Sequence, residues 1–239
     1  MTGPSDIKSL VLASGADLCG IAPASRFEGA PAGFRPTDIY AACRTVLVFA
    51  KALPHSTLDA SSCVPYTYLS ELVTHEVETI TLEVCRRLEK LGMAAVLVPT
   101  DVPYEHWEPE RARGMGILSM RHAAMLAGLG VLGKNTLLIN PTYGNMIQIG
   151  AILLDAELEG DRIIEDREKL CPKECRRCID SCPQKALDGN TVDQKLCRPL
   201  SQFKSTKGYT LKKCNICRKV CPRHLGIFAK SGNLQVDFG

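Results

Sequence analysis

Apolar residues recur at three- and four-residue steps from Tyr66 to Leu91. Leu69, Leu72 with Val73, Val77, Ile80, Val84, Leu88 and Leu91 mark one face of the longest predicted helix, which Gly92 ends. A shorter helix over residues 6–14 gathers Ile7, Leu10 and Val11, with Ser5 as its cap and Gly15 as its stop. Residues 45–50 form an unbroken apolar run and read as a buried strand, and residues 147–154 are also of strand length. Residues 17–23 and 94–98 read as further short strands, and Ser119 caps a helix to Ala127. Residues 137–140 and 147–154 pattern as a hairpin turning at residues 141–145. Gly and Pro make residues 25–38 a loop. Residues 100–116, with the single tryptophan Trp107, read as an irregular segment of the kind that overlies pockets. The pattern predicts an α/β chain of the α+β type.

A length of 239 residues allows one large domain or two modest ones, and 45% hydrophobic content supports a core. No apolar run approaches the ~20 residues of a membrane span. The start, Met1-Thr-Gly-Pro-Ser-Asp6, has neither the basic region nor the apolar stretch of a secretory signal. The expectation is a reduced, cytoplasmic protein with no membrane partner. Net charge is +3, but residues 161–223 hold 16 Lys/Arg against 8 Asp/Glu while the rest of the chain is net acidic.

That basic segment also carries eight of the twelve cysteines, from Cys171 to Cys221. Cys171, Cys175, Cys178 and Cys182-Pro183 form one group. Cys214, Cys217 and Cys221-Pro222 form another, with Cys197 seventeen residues upstream of Cys214. Thiolates at such spacing bind a soft metal, and eight suffice for two 4Fe–4S clusters. In the bacterial ferredoxin pattern the cysteine before proline reaches across to the other cluster. On that pattern Cys171, Cys175, Cys178 and Cys221 hold one cluster, and Cys182, Cys197, Cys214 and Cys217 hold the other. Disulfides suit a secreted chain, and zinc sites show two separated CxxC pairs, so both fit these spacings less well. Cations around anionic clusters account for most of the basic excess; an acidic redox partner or RNA are the other readings. Cys19, Cys43, Cys63 and Cys85 stand singly and read as small buried hydrophobes, with Cys63, in a polar loop, the best placed of them for reactivity.

Gly128-Leu-Gly130-Val-Leu-Gly133 spells GxGxxG, and Lys134-Asn135 nearly completes a phosphate loop. The context argues against both motifs. A helix precedes the glycines where a strand is needed, and Asn135 stands where a Mg²⁺-binding hydroxyl belongs. Glycines also let backbone amides approach a large ligand, and Lys134 suits its amide or phosphate oxygens. A helix cap followed by a tight turn explains one or two of the glycines, not all three.

Residues 20–23, 127–136, Tyr143-Gly144 with residues 149–152, and the cysteine block resemble the epoxyqueuosine reductase and reductive dehalogenase superfamily over nearly the whole chain. The resemblance implies a nitroreductase-like, corrinoid-binding domain over residues 1–160 and a ferredoxin-like, two-cluster domain over 161–239. Gly128, Gly130, Gly133, Lys134, Asn135, Tyr143 and Gly144 would line a cobalamin pocket, with FMN as the alternative cofactor. The epoxyqueuosine enzymes carry a proton-donating aspartate where Gly114 stands here, and continue into helical repeats that hold tRNA. The expectation is therefore a shortened paralogue for which tRNA is not the substrate. Its electrons would come from a donor such as ferredoxin or flavodoxin and pass to an unknown substrate or partner protein. The alternative is an electron-transfer protein or activase with no substrate of its own. Tyr104, Glu105, His106 and Tyr143 are candidate proton donors, Tyr104 and His106 reading first as ordinary surface loop residues.

Overall fold

The computed structural model describes residues 3–227. Its strands are β1 (Leu18–Pro23), β2 (Thr45–Ala52), β3 (Ala95–Val98), β4 (His106–Glu108), β5 (Arg113–Met115), β6 (Val131–Leu132), β7 (Leu138–Ile139), β8 (Ile147–Leu154), β9 (Phe203–Lys204) and β10 (Thr210–Leu211). Its α-helices are α1 (Pro4–Ala13), α2 (Pro36–Ile39), α3 (Cys63–Lys90), α4 (Met120–Leu126), α5 (Arg177–Asp180), α6 (Gln194–Ser201) and α7 (Ile216–Lys219).

An antiparallel sheet in the order β1-β2-β8-β3 forms the centre. Alternate residues of β2 feed opposite faces. Val46, Val48 and Ala50 pack with Ala123, Ala124 and Ala127 around α4. Leu47 and Phe49 pack with Ile7 and Val11 of α1 and with Val77, Ile80, Val84 and Leu88 of α3. Helices on both faces explain why residues 45–50 of β2 and 150–154 of β8 are buried without alternation. At close-packed density this sheet is the rigid base on which the loops are hung.

Several sequence expectations are corrected at their edges. α1 begins at Pro4, whose fixed φ suits the first turn, and the Asp6 carboxylate accepts the Gly3 N–H at 3.0 Å, so Ser5 lies inside the helix. α3 starts at Cys63 because the Ser62 hydroxyl accepts the Val64 N–H at 3.2 Å, which removes Cys63 from a loop. Leu72 and Leu91 are about half exposed, at the border of the buried stripe. The hairpin expected between residues 137–140 and 147–154 does not form. β7 pairs with β6, because both edges of β8 are taken by β2 and β3. Residues 100–116 contain the small β4–β5 hairpin, and the expected loop at 25–38 contains two short helical turns. Cys43 and Cys85 are buried, while Cys19 and Cys63 are half-buried. No helix among the described residues is long and apolar enough to cross a membrane.

Candidate functional site

The two cysteine groups fold alike. Cys178 sits on α5 and Cys217 on α7, each a four-residue helix entered through a residue of similar conformation: Arg176 at φ −123°, ψ 5° and Asn215 at φ −134°, ψ 17°. A single residue separates the end of each helix from a Cys-Pro pair, and α5 and α7 pack together. This pairing brings distant cysteines close. The Cys221 thiol feels Cys171, Cys178 and Cys175, whereas the Cys214 thiol feels Cys197 and Cys182. Cys217 responds to Cys214 and Cys197 before Cys178. Cys221 thus lies among Cys171, Cys175 and Cys178, and Cys214 among Cys182 and Cys197. Burial pushes Cys217 up to about 12 and Cys221 up to about 11, so with no metal bound both hold their protons at neutral pH. Among the described residues no three His, Cys, Asp or Glu close around one metal ion. Backbone N–H groups donate to two of the sulfurs: Lys134 to Cys171 Sγ at 3.4 Å and Ala186 to Cys182 Sγ at 3.3 Å.

The glycine-rich stretch proves to be a seam between chain segments. Gly128, at φ +76°, follows α4, and a Cβ there would strike the Arg162 carbonyl. A Cβ at Gly130 would strike the Ile139 carbonyl, and one at Gly133 would lie 2.7 Å from both Asn135 Oδ1 and Ile139 Cδ1. Packing of protein on protein therefore accounts for all three glycines. The Lys134 ammonium donates to the carbonyls of Pro172 at 3.2 Å, Cys175 at 2.9 Å and Lys173. Asn135 Nδ2 donates to the Cys217 carbonyl at 3.0 Å. Gly144, at φ +60°, lies against the carbonyls of Arg223 and His224, just beyond Cys221. Tyr143 packs beside the α4 face of the core.

A cavity of about 870 Å³ opens beside this seam. Thr136, Leu137 and Leu138 continue the glycine turn into its wall, Asn145 and Ile147 to Ile149 extend it, and Thr191, Gln194 and Arg218 enter from the cysteine region. None of the seven residues expected to bind the cofactor lines this cavity; Gly133 lines a smaller one of about 340 Å³. The sequence reading missed the wall because it comes from segments far apart in the chain. Two buried polar atoms without a hydrogen-bond partner, Thr100 Oγ1 and Asn145 Oδ1, belong to cavity-lining residues. Such orphans are costly unless a ligand or water satisfies them.

The β4–β5 hairpin bounds the cavity through Arg113 and Gly114 and is pinned to α6. Gln194 accepts the Gly114 N–H at 3.2 Å, and Arg198 lies 5.0 Å over the Trp107 ring. A Cβ at Gly114 would lie 2.7 Å from the Tyr104 ring, so Tyr104 fills the space a side chain at 114 would need. Tyr104 lines the cavity and donates to Asp101 Oδ1 at 3.1 Å. Burial, then the charge of Asp101, raises its phenol above the ordinary value. Glu105, His106 and Tyr143 lie off the cavity wall.

No family model matches the chain. In sequence it is 33% identical over 161 residues to the epoxyqueuosine reductase of Staphylococcus aureus, covering 62% of this chain and 40% of the relative. In fold it is similar to an epoxyqueuosine reductase solved with an epoxyqueuosine-modified tRNA stem loop: TM-score 0.63, 19% identity, 92% of this chain and 64% of that one. It is similar also to a reductive dehalogenase whose structure suggests a mechanism for B12-dependent dehalogenation: TM-score 0.68, 21% identity, 93% of this chain and 32% of that one. These are the two groups that the motifs resemble, and the mixed α/β fold is shared with both. The chain spans about two fifths of the sequence relative's length.

Proposed function

We propose that this protein is an iron–sulfur reductase. Its crossed cysteine sets hold two 4Fe–4S clusters, and its larger cavity holds a corrinoid against which the substrate is reduced. When bound, the clusters supply single electrons and the corrinoid a low-valent cobalt that reduces the substrate. One observation supports the reading above the others. The Gly133–Leu138 stretch donates a backbone N–H to Cys171 at one end and forms cavity wall at the other. Sulfur and cavity are thus joined by a few residues of one turn. The donor set suits the groups: N–H bonds to sulfur tune a cluster, and an 870 Å³ cavity with two unsatisfied buried polar atoms suits a large, amide-bearing ring.

The chain's own residues divide the remaining work. Lys134, Asn135 and the glycines clamp the cysteine loops to the sheet-bearing part of the molecule, which we divide from the cluster-bearing part at residue 160. Thr100, Asn145 and the apolar wall bind and orient the cofactor, and the pinned β4–β5 hairpin screens it from water. Tyr104 keeps its proton at neutral pH and is the one candidate donor of the four on the cavity wall. A flavin in the same cavity, or electron transfer to a partner protein without a substrate, is the second reading. Gly114 favours it, since no acid stands there. A tRNA substrate is tested with the same preparation.

The test is a titration of iron-loaded protein, without oxygen, with cobalamin and separately with FMN, followed by absorbance. About one cobalamin per chain is expected to bind, and Ile149→Trp, which fills the cavity, is expected to prevent it. Binding of FMN in place of cobalamin, or of neither, would move the assignment to the second reading.

A further inference from the structure

The charge on the cavity wall is one-sided. Arg26, Arg113, Arg121 and Arg218 line it, and Asp101 is the one carboxylate residue among the described lining residues. Only Arg113 has a carboxylate within 4 Å among the described residues, Glu108 Oε1 at a long 3.9 Å. The other three guanidinium groups donate to backbone carbonyls: Arg26 to Leu126 and Asp161, Arg121 to Thr136, and Arg218 to Asn145. Arg113 and Arg121 lie close enough that their charges repel, and burial and that repulsion both disfavour the Arg121 cation. Like charges gathered on a partly apolar wall are costly unless an anion joins them, and an arginine fork pairs two-to-two with phosphate or carboxylate. The rest of the wall is apolar, including Phe27, Leu118, Met125 and Ile147, so a free inorganic ion would leave most of it uncovered.

Resting on the cavity as the binding site, we propose that it takes a phosphate or carboxylate group on an otherwise apolar organic body, seated between Arg113 and Arg121. Two sources share this chemistry: a separate anionic substrate, and the phosphodiester in the nucleotide loop of a cobalamin.

Phenyl phosphate is the probe and benzyl alcohol its neutral counterpart, each titrated into iron-loaded full-length protein by calorimetry. Phenyl phosphate is expected to bind and benzyl alcohol to show no measurable affinity. Arg113→Gln and Arg121→Gln are each expected to weaken phenyl phosphate by about 30-fold, the low end for removing one partner of a close charge pair. Arg121 also holds the Thr136 carbonyl at 2.9 Å, so its variant can fail to fold; Arg113 is exposed and keeps the test decisive. Competition identifies the source. Displacement by cobalamin but not by cobinamide, which lacks the phosphate, assigns the site to the cofactor. Retention in the presence of cobalamin assigns it to the substrate. Phenyl phosphate binding in a protein that takes up no cobalamin would sink the cofactor reading and leave this one standing. No binding to the parent protein, or equal binding to Arg113→Gln, overturns it.

Discussion

Cys221→Ala is expected to lower bound iron from about eight to about four per chain, because it removes one ligand from one 4Fe–4S cluster and spares the other. The informative experiment adds a second substitution. The proposed crossed arrangement would place Cys221 with Cys171, Cys175 and Cys178 and Cys182 with Cys197, Cys214 and Cys217, thiols that lie near one another. Cys171→Ala combined with Cys221→Ala then strikes the same cluster twice and leaves about four irons. Cys182→Ala combined with Cys221→Ala strikes both clusters and leaves almost none. If each cluster instead drew its ligands from one contiguous block, the first pair would empty the protein. Iron and acid-labile sulfide on the two double variants separate the arrangements without any substrate.

Gly144→Ala is expected to destabilise the protein by about 3 kcal/mol or more, since it combines a left-handed backbone with a steric conflict. The backbone has φ +60°, and the added methyl would meet the carbonyls of Arg223 and His224. Those carbonyls belong to the turn directly after Cys221, whose His224 carbonyl accepts the Asn145 N–H at 3.2 Å. A loss of that size lowers the melting temperature of a chain this long by roughly 6–12 °C. Gly208→Ala is the control. Gly208 has φ +86° but open space around its missing Cβ, so backbone strain alone, about 1 kcal/mol, is expected there. Equal effects at the two positions would remove the argument that Gly144 exists to let the cysteine block approach.

What could be read in the sequence follows how far each signal reaches along the chain. β2 and β8 were legible because both faces of the sheet are covered over most of their length, leaving long stretches that are mainly apolar. α3 was legible because one stripe of a long helix is buried. The proposed crossed cysteine sets rest on local spacing and two Cys-Pro stops, which are signals of short reach. Pairings were less legible: β6 and β7 are two residues each, too short to carry a period, and their partnership depends on β8 being occupied on both sides. The glycine stretch was legible only as a place of close approach. A missing Cβ signals that something approaches closely, and in this chain that something is another stretch of backbone. Lys134 is likewise engaged by protein, its ammonium donating to carbonyls of the cysteine loop. The arginines on the cavity wall carried no shared motif, because residues 26, 113, 121 and 218 meet only after folding.

The most direct check on the central claim is the iron and inorganic sulfide content of protein prepared without oxygen, read beside its visible spectrum. A brown protein with about eight irons and eight sulfides per chain, bleached by a strong reductant, is the expected result. A colourless protein free of inorganic sulfide, or one carrying zinc in place of iron, would contradict it.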